Sequence, residues 1–227
     1  MTNVAVGLSK DLPNGRVMRA IVGEQDLVVW RSKSGVLSAW DNRCPHRGMR
    51  LSHGFVRGEA LACVYHGWHY DKTATCRYIP AHPELEPPET IKAQRFSSTE
   101  KGGLIWVSIE EQSIEPPVTD NLKAIRSISF ACPMMALKQV IHDLDFTLVN
   151  DDNSDWIIQE KSDDQWMIKS IKANISLHLF FQNLSEQTCK IHALANADCT
   201  ADTMKKMSQA LEYIRRRAEK NYEVAVS

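Results

Sequence analysis

The sequence predicts a mainly β protein with some α-helix, of the α+β class. Short runs of β-branched and aromatic residues, separated by turn residues, recur through the first half of the 227-residue chain. Further runs of the same kind follow residue 155, and an amphipathic helix closes the chain. The acidic, proline-bearing segment 110–117 separates these halves. We therefore predict two domains, 1–115 and 116–227.

The strands of the first half are predicted where apolar runs meet turn signals. Glycine- or proline-containing turns stand at 13–15, 34–35 and 102–103. The predicted strands are 17–22, 27–31, 36–40, 61–65 and 104–109.

The second half predicts an antiparallel meander followed by a long helix. Its strands are expected at 156–160, 165–171, 175–181 and 188–195, with turns at 163–164 and 183–186. In the helix, apolar residues recur at spacings of three and four: Met204, Met207, Leu211, Ile214 and Ala218. Such a stripe is typical of packing against a core.

Composition excludes several classes of function. Lys+Arg 27 against Asp+Glu 28 gives a net charge of -1, so we expect no nucleic-acid partner. No apolar run approaches the roughly 18 residues of a membrane span, and the first residues lack the pattern of a signal peptide. We therefore expect a cytoplasmic protein without a membrane partner, whose six cysteines are reduced thiols or metal ligands.

Two short motifs, each with one cysteine and one histidine, contain the candidate metal ligands; we call them clips. Cys44-Pro45-His46 is followed, after 16 residues, by Cys63-Val64-Tyr65-His66. Two thiolates can hold one iron of a [2Fe–2S] cluster while two imidazoles hold the other, and the neutral ligands raise the reduction potential. We therefore predict that Cys44, His46, Cys63 and His66 are cluster and metal ligands.

A zinc site is the alternative for the same four residues. Structural zinc sites favour clips with two cysteines or two histidines each. Here each clip holds one cysteine and one histidine, an arrangement that favours the cluster.

The residues around the clips resemble a known family. The matching segments are Asn42-Arg43-Cys44-Pro45-His46-Arg47-Gly48, Leu51-Ser52-His53-Gly54 and Cys63-Val64-Tyr65-His66-Gly67-Trp68-His69-Tyr70. They resemble the N-terminal domain of Rieske-type non-haem iron oxygenase α subunits, most of all the vanillate O-demethylase and dicamba monooxygenase group. Segments 76–81 and 103–107 extend the resemblance, while 72–75 lacks the family's usual glycine.

The resemblance implies a fold and partners. It implies an N-terminal Rieske β-sandwich domain and, after it, a truncated helix-grip-like catalytic domain: a shortened antiparallel sheet with a long C-terminal helix. It also implies a reductase or ferredoxin as electron donor and a trimer-like homo- or hetero-oligomer. Respiratory Rieske proteins are a poorer match, because their two extra cysteines are replaced by Met49 and Tyr65.

Side chains near the clips are given roles by the same resemblance. His53 and His69 are not in the family's ligand pattern, and Trp68 and Tyr70 are expected to pack under the cluster. Four arginines surround the clips, either as solvated loop residues or as a positive rim that steers an acidic electron donor: Arg43, Arg47, Arg50 and Arg57. The remaining cysteines are expected to be buried free thiols: Cys76, Cys132, Cys189 and Cys199.

The family's second metal site has no counterpart in the sequence. Full oxygenases hold a mononuclear Fe(II) by two histidines and a carboxylate, in an Asp/Asn-x-x-His-x4-His pattern that residues 111–227 lack. That half contains His142, His178 and His192, which could rebuild a site only from separate elements. We therefore expect no mononuclear Fe(II) in this chain, and no catalytic residue can be assigned.

Three functions follow as hypotheses. The first is an oxidoreductase component of a ring-hydroxylating or O-demethylating oxygenase system, which passes single electrons to a mononuclear iron in a partner subunit. The second is a small self-sufficient oxygenase with an unconventional iron site. The third is a redox-sensing or binding module. The substrate cannot be read from the sequence.

Overall fold

A computed structural model describes residues 3–110, 115–116, 121–144 and 156–226 of the chain. The chain divides into two compact units, Met1–Pro117 and Val118–Ser227. Most of the predicted linker, 110–117, lies outside the described residues. Among the helices described, none is long and apolar enough to cross a membrane.

The first unit contains two antiparallel sheets. Its strands are β1 Val4–Leu8, β2 Arg16–Val22, β3 Gln25–Arg31, β4 Leu37–Asp41, β5 Phe55–Arg57, β6 Ala60–Ala62, β7 His69–Tyr70, β8 Cys76–Tyr78, β9 Arg95–Lys101 and β10 Leu104–Ser108. A six-stranded sheet has the order β1-β10-β9-β4-β3-β2, and a four-stranded sheet has the order β5-β6-β7-β8. This is the β-rich architecture that the sequence predicts.

Strand β3 shows why a continuous apolar run predicts a strand here. Successive side chains of a strand point to opposite faces. Val28 and Trp30 enter a core that also contains Cys44 and Cys63, whereas Leu27 enters a second core on the other face. The strand is buried on both faces, so its sequence is apolar throughout rather than alternating.

Within residues 121–144 and 156–226, the second unit forms one sheet with two helices. Its strands are β11 Leu122–Phe130, β12 Trp156–Ser162, β13 Gln165–Ser170, β14 Ile175–Ser185 and β15 Thr188–Asn196, and its helices are α1 Met134–His142 and α2 Ala201–Val226. The sheet is antiparallel in the order β11-β15-β14-β13-β12. The predicted meander therefore occupies β12 to β15.

The apolar stripe of α2 packs as predicted. Met207, Leu211, Ile214 and Ala218 are fully buried, in one core with side chains of β14 and β15. Met204 packs at the edge of the same core. The stripe is therefore core packing.

Several elements escaped the sequence analysis. Strand β11 has a bulge between Ala124 and Arg126, which shifts the phase of its apolar alternation and hides it. Strand β9 is largely polar, so its sequence does not indicate a strand. It forms because β10 and β4 pair with it on either side. The predicted strand 61–65 is wrong beyond Ala62, because Cys63 begins a loop. The turn predicted at 183–186 is also displaced, since β14 continues to Ser185.

Candidate metal centre

The two Cys/His clips lie on loops with the same hydrogen-bonding pattern. In each loop the cysteine N–H donates to the carbonyl five residues later, over 2.8 Å for Cys44 and 3.0 Å for Cys63. The N–H groups of Gly48 and Gly67 donate back to these cysteine carbonyls, over 2.8 Å and 3.0 Å. Both glycines have φ of +70°, a conformation that side chains with Cβ rarely adopt. The two clips are thus held by two equivalent turns.

Asn42 anchors the first loop from within. Its side chain is fully buried, accepts a hydrogen bond from the Ser52 N–H over 2.7 Å and donates one to Asp26 over 2.9 Å. Asp26 also pairs with Arg50 at 3.3 Å. The sequence indicates no role for Asn42 itself, and its position directly before the first clip is the one signal for it.

The two thiols of the clips lie inside the unit. Cys44 and Cys63 are 4% and 2% exposed, and their side chains are hydrogen-bonding neighbours. Burial raises the pKa of the Cys63 thiol, against the backbone N–H groups of Tyr65 and His66, which lower it. Two buried thiolates side by side are costly unless a cationic group lies between them.

Tyr70 adds a contact that the sequence analysis missed. Its hydroxyl lies 3.1 Å from Cys44 Sγ and is fully buried. Burial, and then the hydrogen bond with Cys44, raise the pKa of Tyr70 above its usual value. The hydroxyl therefore stays protonated and can donate to the sulfur.

The two imidazoles lie on the outside. The rings of His46 and His66 are 4.6 Å apart at an interplanar angle of 65°. Trp68 stacks on His46 at 4.0 Å, with the rings 6° from parallel, and Tyr65 contacts His66 at 3.8 Å. Trp68 therefore stacks on the ring of a candidate ligand, whereas the resemblance implied only that it packs under the cluster.

The four side chains form two pairs rather than one cage. Across the described part of the chain, no three or more His, Cys, Asp or Glu side chains converge as the ligands of a single ion would. The clips instead present two thiols inward and two imidazoles outward. Such a donor set fits a cluster with two separate irons, one held by sulfur and the other by nitrogen.

The other residues around the clips are placed as follows. His53 is exposed on the surface, and His69 contacts Tyr78 at a ring distance of 5.1 Å. The remaining cysteines are buried free thiols, as predicted: Cys76, Cys132, Cys189 and Cys199. Cys76 lies in the same core as the clip cysteines.

His142 lies on the helix-covered side of the second sheet. It ends α1, contacts the Trp166 ring at 4.9 Å and bonds Glu160 at 2.8 Å. Trp166 pairs with Leu179, and both belong to the core beneath α2. His142 is therefore on the side of the sheet where the helices pack.

His178 and His192 lie on the opposite face of that sheet. His192 pairs with Phe180 across β14 and β15, and Phe180 shares a face with His178 because alternate residues of a strand do so. His192 is fully buried and bonds Ser127 at 2.8 Å. The sheet thus separates His142 from the other two histidines, and the structure does not assemble one site from all three.

The first unit matches a known domain family. Residues 2–92 match the family model of the Rieske [2Fe-2S] domain.

These residues are a Rieske domain.

Two relatives are similar to this chain over different lengths. Oxidoreductase NdmD of Pseudomonas putida is 29% identical over 234 residues, which cover 94% of this chain and 39% of that protein. The 3-chlorobenzoate-3,4-dioxygenase oxygenase subunit of Comamonas testosteroni is 34% identical over 103 residues, which cover 45% of this chain and 24% of that protein. The chain therefore spans well under half the length of these two relatives.

The residues after the Rieske domain also adopt a fold that is found in a solved structure. Apo dicamba monooxygenase superimposes with a TM-score of 0.73 and 15% identity, over 98% of this chain and 85% of that chain. The sequence expectation of kinship with Rieske-type non-haem iron oxygenase α subunits is thus confirmed by the Rieske domain and these relatives. The chain thus contains a Rieske domain, and its fold is that of dicamba monooxygenase.

Proposed function

We propose that Cys44 and Cys63 bind one iron of a [2Fe–2S] cluster and that His46 and His66 bind the other. The observation that carries this proposal is the pairing of the clips: two adjacent buried thiols and two imidazole rings 4.6 Å apart. Equivalent turns hold both clips in place. The donor types match those of a Rieske cluster.

When bound, such a cluster supplies one-electron chemistry. The protein residues control its environment. The apolar core around Cys44 and Cys63 excludes water from the sulfur side, and Tyr70 hydrogen-bonds Cys44. His46 and His66 form the edge toward solvent, which makes them the route for electrons.

We further propose that the chain is the electron-transferring component of an oxygenase system. A reductase or ferredoxin supplies single electrons, and a mononuclear iron in a partner subunit of a trimer-like oligomer accepts them. Two observations support this role. Residues 111–227 lack the Asp/Asn-x-x-His-x4-His pattern, and the similarity that spans 94% of the chain is to a protein named an oxidoreductase. No substrate is assigned.

Metal content tests both parts of the proposal. The full chain is incubated anaerobically with Fe(II), desalted, and analysed for iron and acid-labile sulfide. We expect two irons and two sulfides per chain, as a [2Fe–2S] cluster requires. Three irons with two sulfides would show a mononuclear site in this chain and would overturn the assignment of that site to a partner.

Substitution tests the ligand set. His46→Ala is expected to abolish the visible absorbance and the EPR signal of the reduced cluster, because the iron assigned to His46 and His66 loses one of its two protein ligands. His53→Ala, which removes an exposed histidine close by in sequence, is the matched control and should leave both signals intact. Full signals in His46→Ala would refute the assignment.

A further inference from the structure

The core of the second unit contains two thiols in contact with each other. Phe130, the last residue of β11, is paired with Cys189 on β15, and Cys132 follows two residues later. The Cys189 thiol donates a hydrogen bond to the carbonyl oxygen of Cys132 over 3.3 Å, and the two side chains are hydrogen-bonding neighbours. The two cysteines are 57 positions apart in sequence, so folding alone brings them together.

This pair of thiols is separate from the candidate metal centre. Cys132 and Cys189 are 0% exposed free thiols in the core that the second sheet shares with α2, whereas Cys44 and Cys63 belong to a core of the first unit. A single buried cysteine packs as a small apolar side chain. Two thiols in contact can also give up two electrons and two protons together and become a disulfide.

The two thiols of the pair differ in acidity. The hydrogen bond with Cys189 lowers the pKa of Cys132, whereas the hydrogen bond with Cys132, and then burial, raise the pKa of Cys189. The neighbouring S–H stabilises the first thiolate, and a second charge in the same apolar core is disfavoured. Because the thiolate is the reactive form, Cys132 is the sulfur that reacts first with an oxidant.

We propose that Cys132 and Cys189 are a redox-sensitive pair, which hydrogen peroxide joins in a disulfide that stabilises the second unit. The O–O bond of the peroxide breaks, one oxygen bonds to Cys132 Sγ as a sulfenic acid, and one water leaves. The Cys189 sulfur then displaces the hydroxyl from Cys132, and a second water leaves. Two thiols and one hydrogen peroxide thus give one disulfide and two waters, and a dithiol reductant reverses the change.

Access of the oxidant to the pair depends on the end of α2. The N–H of Ala131, the residue before Cys132, donates to Glu219 of α2 over 3.0 Å. Most side chains of the following segment 220–225 are exposed. Helix ends open locally at a low cost in free energy, and hydrogen peroxide is small enough to enter such an opening. We therefore expect the reaction to proceed slowly in the folded chain.

Peptide mapping tests the disulfide directly. The full chain is treated with hydrogen peroxide, its remaining thiols are blocked with iodoacetamide, and it is digested with trypsin without reduction. Cleavage after lysine and arginine places Cys132, Cys189 and Cys199 in three different peptides, 127–138, 173–190 and 191–205. We expect peptides 127–138 and 173–190 as one species, about 2 Da lighter than their reduced sum, which dithiothreitol separates.

Cys199→Ala is the matched control for this map. Cys199 is buried in the same core, but its thiol donates to Asn196 over 2.9 Å. The linked species should persist in Cys199→Ala and be lost in Cys132→Ala. The wild-type map decides the question even if a variant does not fold: a link to peptide 191–205, or peptides 127–138 and 173–190 that stay separate, would overturn the proposal.

Urea unfolding of the full chain tests the effect of the disulfide. The bond would close a loop of 57 positions and so restrict the unfolded chain. We expect the unfolding equilibrium constant to fall by up to roughly a thousandfold on oxidation, and dithiothreitol to restore it. Unchanged unfolding of the fully linked chain would contradict the stabilising role.

These readouts are independent of the proposed cluster. Cys44 and Cys63 lie in the tryptic peptides 44–47 and 58–72, so their oxidation is recorded separately from that of the pair. A chain that binds no iron but forms the Cys132–Cys189 link would contradict the proposed function and support this inference. A chain with its full cluster and no such link would do the reverse.

Discussion

At the scale of single residues, the candidate centre depends on contacts between residues distant in sequence. Tyr70 lies 26 positions from Cys44, yet its hydroxyl is 3.1 Å from the sulfur. Asn42 ties the first clip to Asp26 on β3 and to the chain at Ser52. These side chains have no ligand chemistry of their own. They position the sulfur and set its electrostatic environment.

The hydroxyl of Tyr70 is expected to raise the reduction potential of a bound cluster. A hydrogen bond to sulfur stabilises the more negative, reduced state. Tyr70→Phe should therefore lower the midpoint potential by roughly 20–60 mV, since one hydrogen bond is worth about 1 kcal/mol. Redox titration followed by EPR measures the shift. Tyr78→Phe, in the neighbouring strand β8, is the control, and equal potentials in both variants would contradict the role of Tyr70.

At the scale of elements, glycines shape the loops and the hairpin that carry the clips. Gly48 and Gly67 occupy the same position in their turns, each with φ of +70°. Gly54, just before β5, has an ordinary φ, but a Cβ there would lie 2.3 Å from the backbone oxygen of Ala62 on β6. Gly48 and Gly54 therefore exclude side chains for different reasons, one conformational and the other steric.

These two causes predict different losses of stability when each glycine is replaced by alanine. A Cβ at Gly48 meets nothing within 4 Å, so Gly48→Ala should cost about 1 kcal/mol of unfolding free energy through backbone strain alone. Gly54→Ala should cost roughly 3 kcal/mol, because backbone rather than a flexible side chain must move. Urea denaturation of the full chain measures both. If the two variants were equally stable, β5 and β6 would be able to separate without penalty.

At the scale of the whole molecule, the units are stabilised in different ways. The second unit depends on an apolar core between the sheet and the stripe of α2. The first unit contains two cores and a charged link across its large sheet. Arg31 on β3 forms two 2.6 Å hydrogen bonds with Glu100 on β9, and its side chain is only 9% exposed.

That link predicts a dependence of stability on pH. The hydrogen bond from Arg31 is the main cause that holds the pKa of Glu100 below its ordinary value of 4.5. Because the folded-state pKa is the lower one, the contribution is fully present above pH 4.5 and is lost as pH falls through the folded-state pKa.

Glu100→Gln tests this contribution. The variant should lose about 1 kcal/mol at pH 7, a modest amount because Glu100 is a third exposed and screened by solvent. The difference from the wild type should shrink as the pH falls below 4.5. Urea unfolding at pH 7, 5 and 3.5 measures it. A difference that stayed constant over this range would mean that the carboxylate charge does not contribute.

Local sequence patterns were sufficient to predict the features that depend on near neighbours. Clip spacing identified Cys44, His46, Cys63 and His66 as the candidate ligands, and helical periodicity identified the buried face of α2. These signals are local, since strand and helix faces repeat every two or about 3.6 residues.

Contacts between distant segments emerged only from the folded chain. It brought Tyr70 to Cys44, made the polar segment Arg95–Lys101 a strand between two partners, and placed His142 on the other face of the sheet from His178 and His192. It also left Arg43 and Arg47 exposed and without ion-pair partners among the described residues. The physical reason is that pairing, burial and charge compensation are properties of contacts across long chain separations, which no local pattern encodes.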